Sequence, residues 1–321
     1  MTEIFSTHPF LAWTAALTAA AVVVCVGVRK WGPVKRLRRR FRTARAGVVW
    51  NRRAGVVDRP VTCSVVVTLT AAPSRMSGLP RIIASLLNQT CPPDEVHVNI
   101  PHVFGRTGES YSFPPDWPTD TRVKVFRVED LGPATKFAHT VDRIPLDADT
   151  IIVVVDDDVL YLQEAIEGLL RAVGRSKTIA VGFSGYRFGP AWETVLAQSD
   201  APVEVVEGWA AFATHRAAFG AGLADYLRAA HASRSCFLHD DVVISNWFAM
   251  RGVARMQLAT RSVNRRRMRR LGAQLAAGYQ AGALHGISAP AVRARESGEH
   301  LASLGIWALN SPIPSNHREA P

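Results

Sequence analysis

Five short runs of β-branched and other apolar residues mark the middle of the chain: VVVTL (65–69), EVHVNI (95–100), VKVFRV (123–128), IIVVV (151–155) and IAVGF (179–183). Runs of this length read as strands. Between them the apolar period lengthens. Pro80 opens a stretch that places Ile82, Ile83, Leu86 and Leu87 on one helical face. Residues 135–141 predict a short helix. Ile166, Leu169, Leu170 and Val173 recur at i, i+3, i+4 and i+7, which predicts another. Strands alternating with helices predict an α/β domain with a mostly parallel central sheet, because nearly continuous apolar strands need both faces covered. Further on, VEVV (203–206) predicts a strand, residues 216–229 one helix, and Asp240–Met250 another that ends before Gly252.

A different pattern fills the start. Residues 10–28, FLAWTAALTAAAVVVCVGV, carry no charge. At ~1.5 Å per residue such a run spans ~28 Å, the depth of a bilayer core. The next stretch, 29–53, holds 11 of the 38 Lys and Arg residues and no acid. A signal peptide would carry its positive charge before the apolar run, and here the order is reversed. The expectation is a single-pass transmembrane anchor at 10–28 after a short tail (1–9). A basic linker (29–60) then lies on anionic headgroups, and the remainder is cytoplasmic. The domain itself spans 61–308, and a Pro- and Ser-containing tail (309–321) reads as loose.

Composition changes this picture little. Of the 321 residues 48% are hydrophobic and 20% charged, as in a globular protein with a sizeable core. The net charge of +11 resides in the one basic block, since the remaining 27 bases meet 27 acids. The block lacks the interleaved aromatics of a base-stacking surface, so nucleic acid is not the expected partner. Cys25, Cys63, Cys91 and Cys236 are scattered without CxxC spacing, which speaks against a zinc site and for a reducing compartment. There is no GxxxxGK[ST] loop and no GxSxG elbow, and GAG at 220–222 lacks the third glycine of a dinucleotide fingerprint.

Five segments carry candidate chemistry. After IIVVV come Asp156, Asp157 and Asp158, three acids at the carboxyl end of a buried strand. Ligands of open α/β sheets bind at such ends, and crowded carboxylates there suit Mg²⁺ or Mn²⁺ shared with a phosphate. A solvated acidic turn is the plain alternative. In CFLHDDVVIS (236–245), Asp240 and Asp241 follow His239 at the start of an apolar helix. They serve as ordinary helix caps or as a rigid general base. In DLGPATKF (130–137), Gly132 and Pro133 shape a turn from which Lys136 can reach a phosphate. In EGWAAF (207–212), Glu207 and Gly208 lead to Trp209, which either stacks on a sugar or packs in the core. In ALHG (283–286), His285 is either a metal ligand or structural.

Taken together, the order and spacing of these segments resemble the GT-A glycosyltransferases, in particular a bacterial family-2-like and exostosin-like subgroup. TLTAAPSRM (68–76) and SLLNQT (85–90) resemble their opening, VVVDDDV their DxD motif, DDVVIS their acidic pair and ALHG their late histidine. The resemblance implies a Rossmann-like GT-A domain that moves a sugar from a UDP- or GDP-linked donor to the hydroxyl of a glycan or lipid-linked acceptor. It implies that Thr70, Pro73, Arg75, Gln89, Lys136, Asp156 and Asp157 hold the nucleotide-sugar. It further implies that Asp158 and His285 hold Mn²⁺ or Mg²⁺, and that Glu207, Gly208 and Trp209 meet the acceptor. Asp241 or its neighbour Asp240 acts as base; an acidic pair reading His-Asp-Asp rather than Glu-Asp leaves that choice open. Two rivals stand beside it. A nucleotidyltransferase wants a glycine- and lysine-rich loop after the first strand, where this chain offers Arg75. A membrane-anchored scaffold with a degenerate site would need none of these segments intact.

Overall fold

A computed structural model describes residues 59–197, 200–258, 268–270 and 290–309. The apolar run 10–28, the basic block 29–53, His285 and the tail beyond 309 lie outside the described residues. Among the described residues no helix is long and apolar enough to cross a membrane.

The five apolar runs become β1 (Ser64–Leu69), β2 (Glu95–Pro101), β3 (Val123–Val128), β4 (Thr150–Val154) and β6 (Ile179–Gly182). The amphipathic stretches become α1 (Leu79–Leu87) and α3 (Ala165–Val173), and the short helix after DLGPATK becomes α2 (Ala138–Arg143). In α3 the four residues of the apolar repeat are all buried, and Gly174 ends the helix at φ +55. Parallel pairing runs β3-β2-β1-β4, with Val65 to Val67 opposite Ile151 to Val153. Both β1 and β4 are buried on both faces, as near-continuous Val and Ile require.

The eight-stranded sheet is not parallel throughout. Between β4 and β6 lies β11 (Phe212–His215), antiparallel to both, so that Phe212 pairs with Val154 and Gly182. Beyond β6 come β12 (Ala254–Gln257), parallel to it, and the two-residue β9 (Ala201–Pro202). VEVV contributes only β10 (Val205–Val206), which joins β7 (Gly185–Phe188) and β8 (Thr194–Leu196) in a small antiparallel sheet. Another short strand, β5 (Val159–Tyr161), pairs with β13 (Met268–Arg270).

The single helix expected over 216–229 is two: α4 (Arg216–Phe219) and α5 (Leu223–Ala230). Gly220 and Gly222 break it, both at positive φ, +63 and +84. After α6 (Arg234–Phe237) comes α7 (Asp240–Met250), which spans the interval expected for it. Val242 to Phe248, with the polar Ser245 and Asn246 among them, are all buried, so α7 is covered on every side and runs through the core with its acidic start at the strand ends. Helix α8 (Pro290–Ser303) packs behind α6 and α7, where Cys236 Sγ lies 3.7 Å from the Ser297 carbonyl.

One buried polar network sets the DLGPATK turn on the sheet. Thr68 Oγ donates to the Lys136 carbonyl and meets Thr140 Oγ at 2.7 Å. Asn99 Nδ2 donates to Thr68 Oγ and Thr140 Oγ, each at 3.1 Å. Thr68, Asn99 and Thr140 are all fully buried, so their polar groups have these partners instead of water. Thr68→Val keeps the shape and removes the hydroxyl. Its expected effect in urea unfolding is a loss of about 1–3 kcal/mol, the usual consequence of orphaning buried polar partners.

Candidate functional site

Four segments far apart in sequence meet at the carboxyl ends of β1 and β4. The first is the turn Gly132–Lys136, a single turn of 3-10 helix. Gly132 sits at φ +63, and a Cβ there would lie 2.5 Å from the Phe237 carbonyl oxygen. Only glycine allows that approach, which presses the turn against the segment leading into α7.

From this turn Lys136 enters the core at 4% exposure. Its Nζ lies 3.0 Å from Asp156 Oδ1 and 3.0 Å from Asp240 Oδ2. Burial alone would lower the lysine pKa. The charges of Asp156, Asp240 and Asp241 outweigh it, and the ammonium is held well above its ordinary value. Sequence reasoning gave Lys136 to a phosphate; the structure gives it to two carboxylates, one from each acidic motif.

Arg75 balances the next acid. It lies in the turn Pro73–Gly78, and its guanidinium nitrogen is 2.5 Å from Asp157 Oδ1. The Ala72 N–H donates to the other oxygen of Asp157 at 3.1 Å. The Asp157 charge, with Asp158 and Asp156 behind it, raises the arginine pKa. Burial still pushes the Asp157 carboxyl up, partly offset by Arg75. Arg106, on the loop after β2, is a further cation in this field: burial lowers its pKa first and the Arg75 charge next, while Asp130 and Asp157 pull the other way. The Gly105 N–H donates to Asp130 Oδ2 at 2.6 Å, which fixes that loop to the DLGPATK segment. Sequence reasoning missed Arg106. Its only local signal is one arginine in a polar loop.

The acidic turn itself is closed by a residue not singled out in the sequence. The Asp156 N–H donates to the buried Tyr161 hydroxyl at 3.0 Å. Asp158 is buried in the same turn at 8% exposure.

At the start of α7, Asp240 is 5% exposed and Asp241 half-buried. Asp241 Oδ1 accepts the Gly208 N–H at 2.8 Å. Burial raises both carboxyl pKa values. For Asp241 the neighbouring Asp240 charge adds to it and the rise is large; for Asp240 the Lys136 charge works against it. His239, before them, is pushed down to about 3 by burial, with the Arg293 charge second, and so stays neutral.

The fourth segment is the turn Gly208–Ala210. A Cβ on Gly208 would lie 2.7 Å from Lys136 Nζ and 3.4 Å from Asp241 Oδ1, so the bare backbone forms one wall of the corner. Glu207 is fixed by Ser184, whose hydroxyl donates to its Oε2 at 2.5 Å. Trp209 is half-buried on the same turn. Ala211, next in the chain, holds φ +88, a sparsely populated conformation for alanine that turns the chain into β11.

Two expected ligand contacts fall elsewhere. Gln89 is 2% exposed; its Nε2 donates to the Ser85 carbonyl at 2.8 Å and its Oε1 accepts the Ile166 N–H at 3.0 Å. Both ends of the amide are spent joining α1 to α3, which makes Gln89 structural. Thr70, at the end of β1, donates to the Asn99 carbonyl at 2.7 Å. Pro73 opens the turn that carries Arg75. Among the described residues no group of three His, Cys, Asp or Glu is set to hold a metal ion. Beyond the wall formed by Leu131 and Phe237 is a cavity of about 520 Å³, which contains none of the DDD or HDD carboxylates.

No family model matches the chain, and no curated protein matches it in sequence. Among solved structures it is similar to the crystal structure of GalNAc-T7 with UDP, GalNAc and Mn²⁺, at 11% identity and a TM-score of 0.42. That likeness covers 61% of this chain and 42% of the other, so the chain spans less than half the length of that protein. At this level the chemistry has to be read from the residues themselves.

Asp241 gives a signed expectation. A carboxyl whose folded pKa lies above its unfolded value, ~3.9, binds more protons in the native state. Stability therefore falls as pH rises from about 4 toward the folded pKa. Asp241→Asn removes that penalty and keeps an oxygen for the Gly208 N–H. At pH 7 its thermal midpoint should exceed the parent's, and the gap should close below about pH 4. A variant less stable than the parent at pH 7 would contradict the assignment.

Proposed function

We propose that the chain is a glycosyltransferase of GT-A type that transfers a sugar from a nucleoside-diphosphate donor to a hydroxyl acceptor. The observation that carries this reading is the convergence of the DDD strand end and the HDD helix start on one buried ammonium. Donor-binding and base-supplying groups have to share a cleft for such a transfer, and these two motifs lie 84 residues apart at their leading acids, Asp156 and Asp240. In this reading Asp156 faces the donor ribose, and Arg75 and Arg106 supply positive charge near the phosphates. Asp241, half-buried and with a raised pKa, is poised to take the acceptor proton. Glu207 and Trp209 lie on the acceptor side, next to it.

A divalent ion fits this corner by the chemistry of its donors. Asp156, Asp157, Asp158, Asp240 and Asp241 outnumber Lys136, Arg75 and Arg106, and Asp157, Asp240 and Asp241 carry raised pKa values. Asp158 would hold Mg²⁺ or Mn²⁺, with His285 as its second ligand from this chain; such ions commonly take their remaining ligands from phosphate and water. When bound, the ion supplies charge neutralisation for the departing diphosphate.

The site sits after an apolar run and a basic block, and we place the enzyme at a membrane on that ground. Residues 10–28 anchor it, residues 29–53 lie on anionic headgroups, and the acceptor is a lipid-linked or other membrane glycan. The catalytic domain is then cytoplasmic, where nucleotide-sugars are.

The deciding experiment is a panel of UDP- and GDP-sugars incubated with the full-length protein in Mn²⁺ or Mg²⁺. Slow release of nucleoside diphosphate from one donor is expected. Asp158→Ala should abolish it, and Asp241→Asn should reduce transfer by at least ~100-fold, the usual contribution of a general base. No turnover and no metal-dependent nucleotide binding across the panel would favour the scaffold instead.

A further inference from the structure

We propose that Lys136 is the positioning residue of this corner: its ammonium joins the donor-side acid Asp156 to Asp240, and so leaves Asp241 alone to face the acceptor. The terms donor and acceptor rest on the glycosyl-transfer reading. The joining itself rests on geometry alone.

Lys136 has three N–H donors, and carboxylates from two different motifs take contacts of 3.0 Å each. The side chain is 4% exposed, so it cannot swing out to a phosphate without leaving Asp240 uncompensated in the core. The third side of the ammonium meets the bare backbone of Gly208, where a Cβ would intrude to 2.7 Å. That same glycine donates its N–H to Asp241. One cation therefore fixes the strand end, the helix start and the Gly208 turn at once. Its carbonyl is held as firmly as its ammonium, by Thr68 Oγ and, at 3.3 Å, by Asn99 Nδ2.

Adjacent buried carboxylates resist ionising together. Without a cation Asp240 and Asp241 would behave as one dyad sharing a proton, with no distinction between them. Several other groups act on the pair: Asp156 from the end of β4, Glu207 beside Gly208 and Tyr186 on β7, while Arg293 on α8 acts on Tyr186 and on His239, the residue before the pair. Of the cations, Lys136 makes the direct contact, and it makes it with Asp240. Asp240 is thereby the structural ion and Asp241 the working acid.

The test is a cycle of variants in the substrate-free full-length protein, followed by rates. In the parent at pH 7, Asp241→Asn should raise the thermal midpoint clearly, while Asp240→Asn should raise it much less, because Lys136 loses a partner. In a Lys136→Met background the two substitutions should raise the midpoint by similar amounts, so the gap between them closes. Lys136→Met alone should slow sugar transfer by ~100-fold, the scale of a small misplacement of reacting groups. Lys136→Met with Asp240→Asn, which restores charge balance, should recover at least tenfold of that. A lysine that only fills space predicts neither the closing of that gap nor the rescue. Should Lys136→Met fail to fold, Gly208→Ala displaces the ammonium instead, and Asp240→Asn should then raise the midpoint by more than it does in the parent. The proposal is overturned if Asp240→Asn shifts the midpoint equally in all backgrounds, or if the double variant is no faster than Lys136→Met. Absence of turnover in every variant and in the parent would sink the transfer reading instead, and the midpoint gap between Asp240→Asn and Asp241→Asn would still decide the role of Lys136.

Discussion

A buried ammonium between two carboxylates is the contact on which this site depends. Moving such an ion out of water costs several kcal/mol, and only close, hydrogen-bonded partners offset it. Lys136 finds a hydrogen-bonded partner in Asp156 and a close ion pair in Asp240. Each acid in turn is tolerable at its depth because the lysine is there. The elements around it serve this arrangement. Gly132 lets the turn close on Phe237, Thr68 and Asn99 hold the turn's carbonyl, and Gly208 leaves room for the ammonium.

Three adjacent acids at the end of a fully buried strand raise a question of compensation, and the chain supplies much of the answer itself. Lys136 meets the first acid and Arg75 the second. What remains is a local excess of carboxylates with raised pKa values, held in fixed positions. Such a corner is less stable than a neutral one, yet it is preorganised for a cation or a proton in transit. The strained φ of Ala211, one residue past the Gly208 turn, belongs to the same bargain between stability and placement.

The parallel half of the sheet was legible in the sequence because its strands are nearly continuous Val and Ile, a pattern that only a doubly covered strand explains. The acidic turns were legible for the same reason, since charge next to a buried run stands out. β11 was not. FATH is four residues long and runs directly into α4, so it shows no alternation to detect. The α4–α5 break required giving weight to Gly220 and Gly222 inside an otherwise helical stretch. α8 was missed because PAVRARESGEHLAS is mostly polar; it buries Arg293, Ser297 and Gly298 where a helix usually buries Leu or Ile. Partnerships were the least legible of all. Lys136 lies 20 residues from Asp156, and Arg75 82 residues from Asp157, and nothing in either spacing announces a contact.

The overlooked strand is also what completes the corner. In a parallel sheet, strand ends gather on one edge and strand starts on the other. β1 and β4 obey this and deliver the Arg75 turn and the DDD turn to the same edge. The Gly208 turn precedes its strand, so a parallel β11 would have carried it to the opposite edge, some four residues of strand length away. Antiparallel pairing sets Phe212 beside Val154, the start of one strand against the end of the other. Gly208 then arrives beside Lys136, which holds Asp156, and within hydrogen-bond reach of Asp241. The reversal of one short strand in the middle of the sheet is therefore the topological condition for the fourth wall of the site.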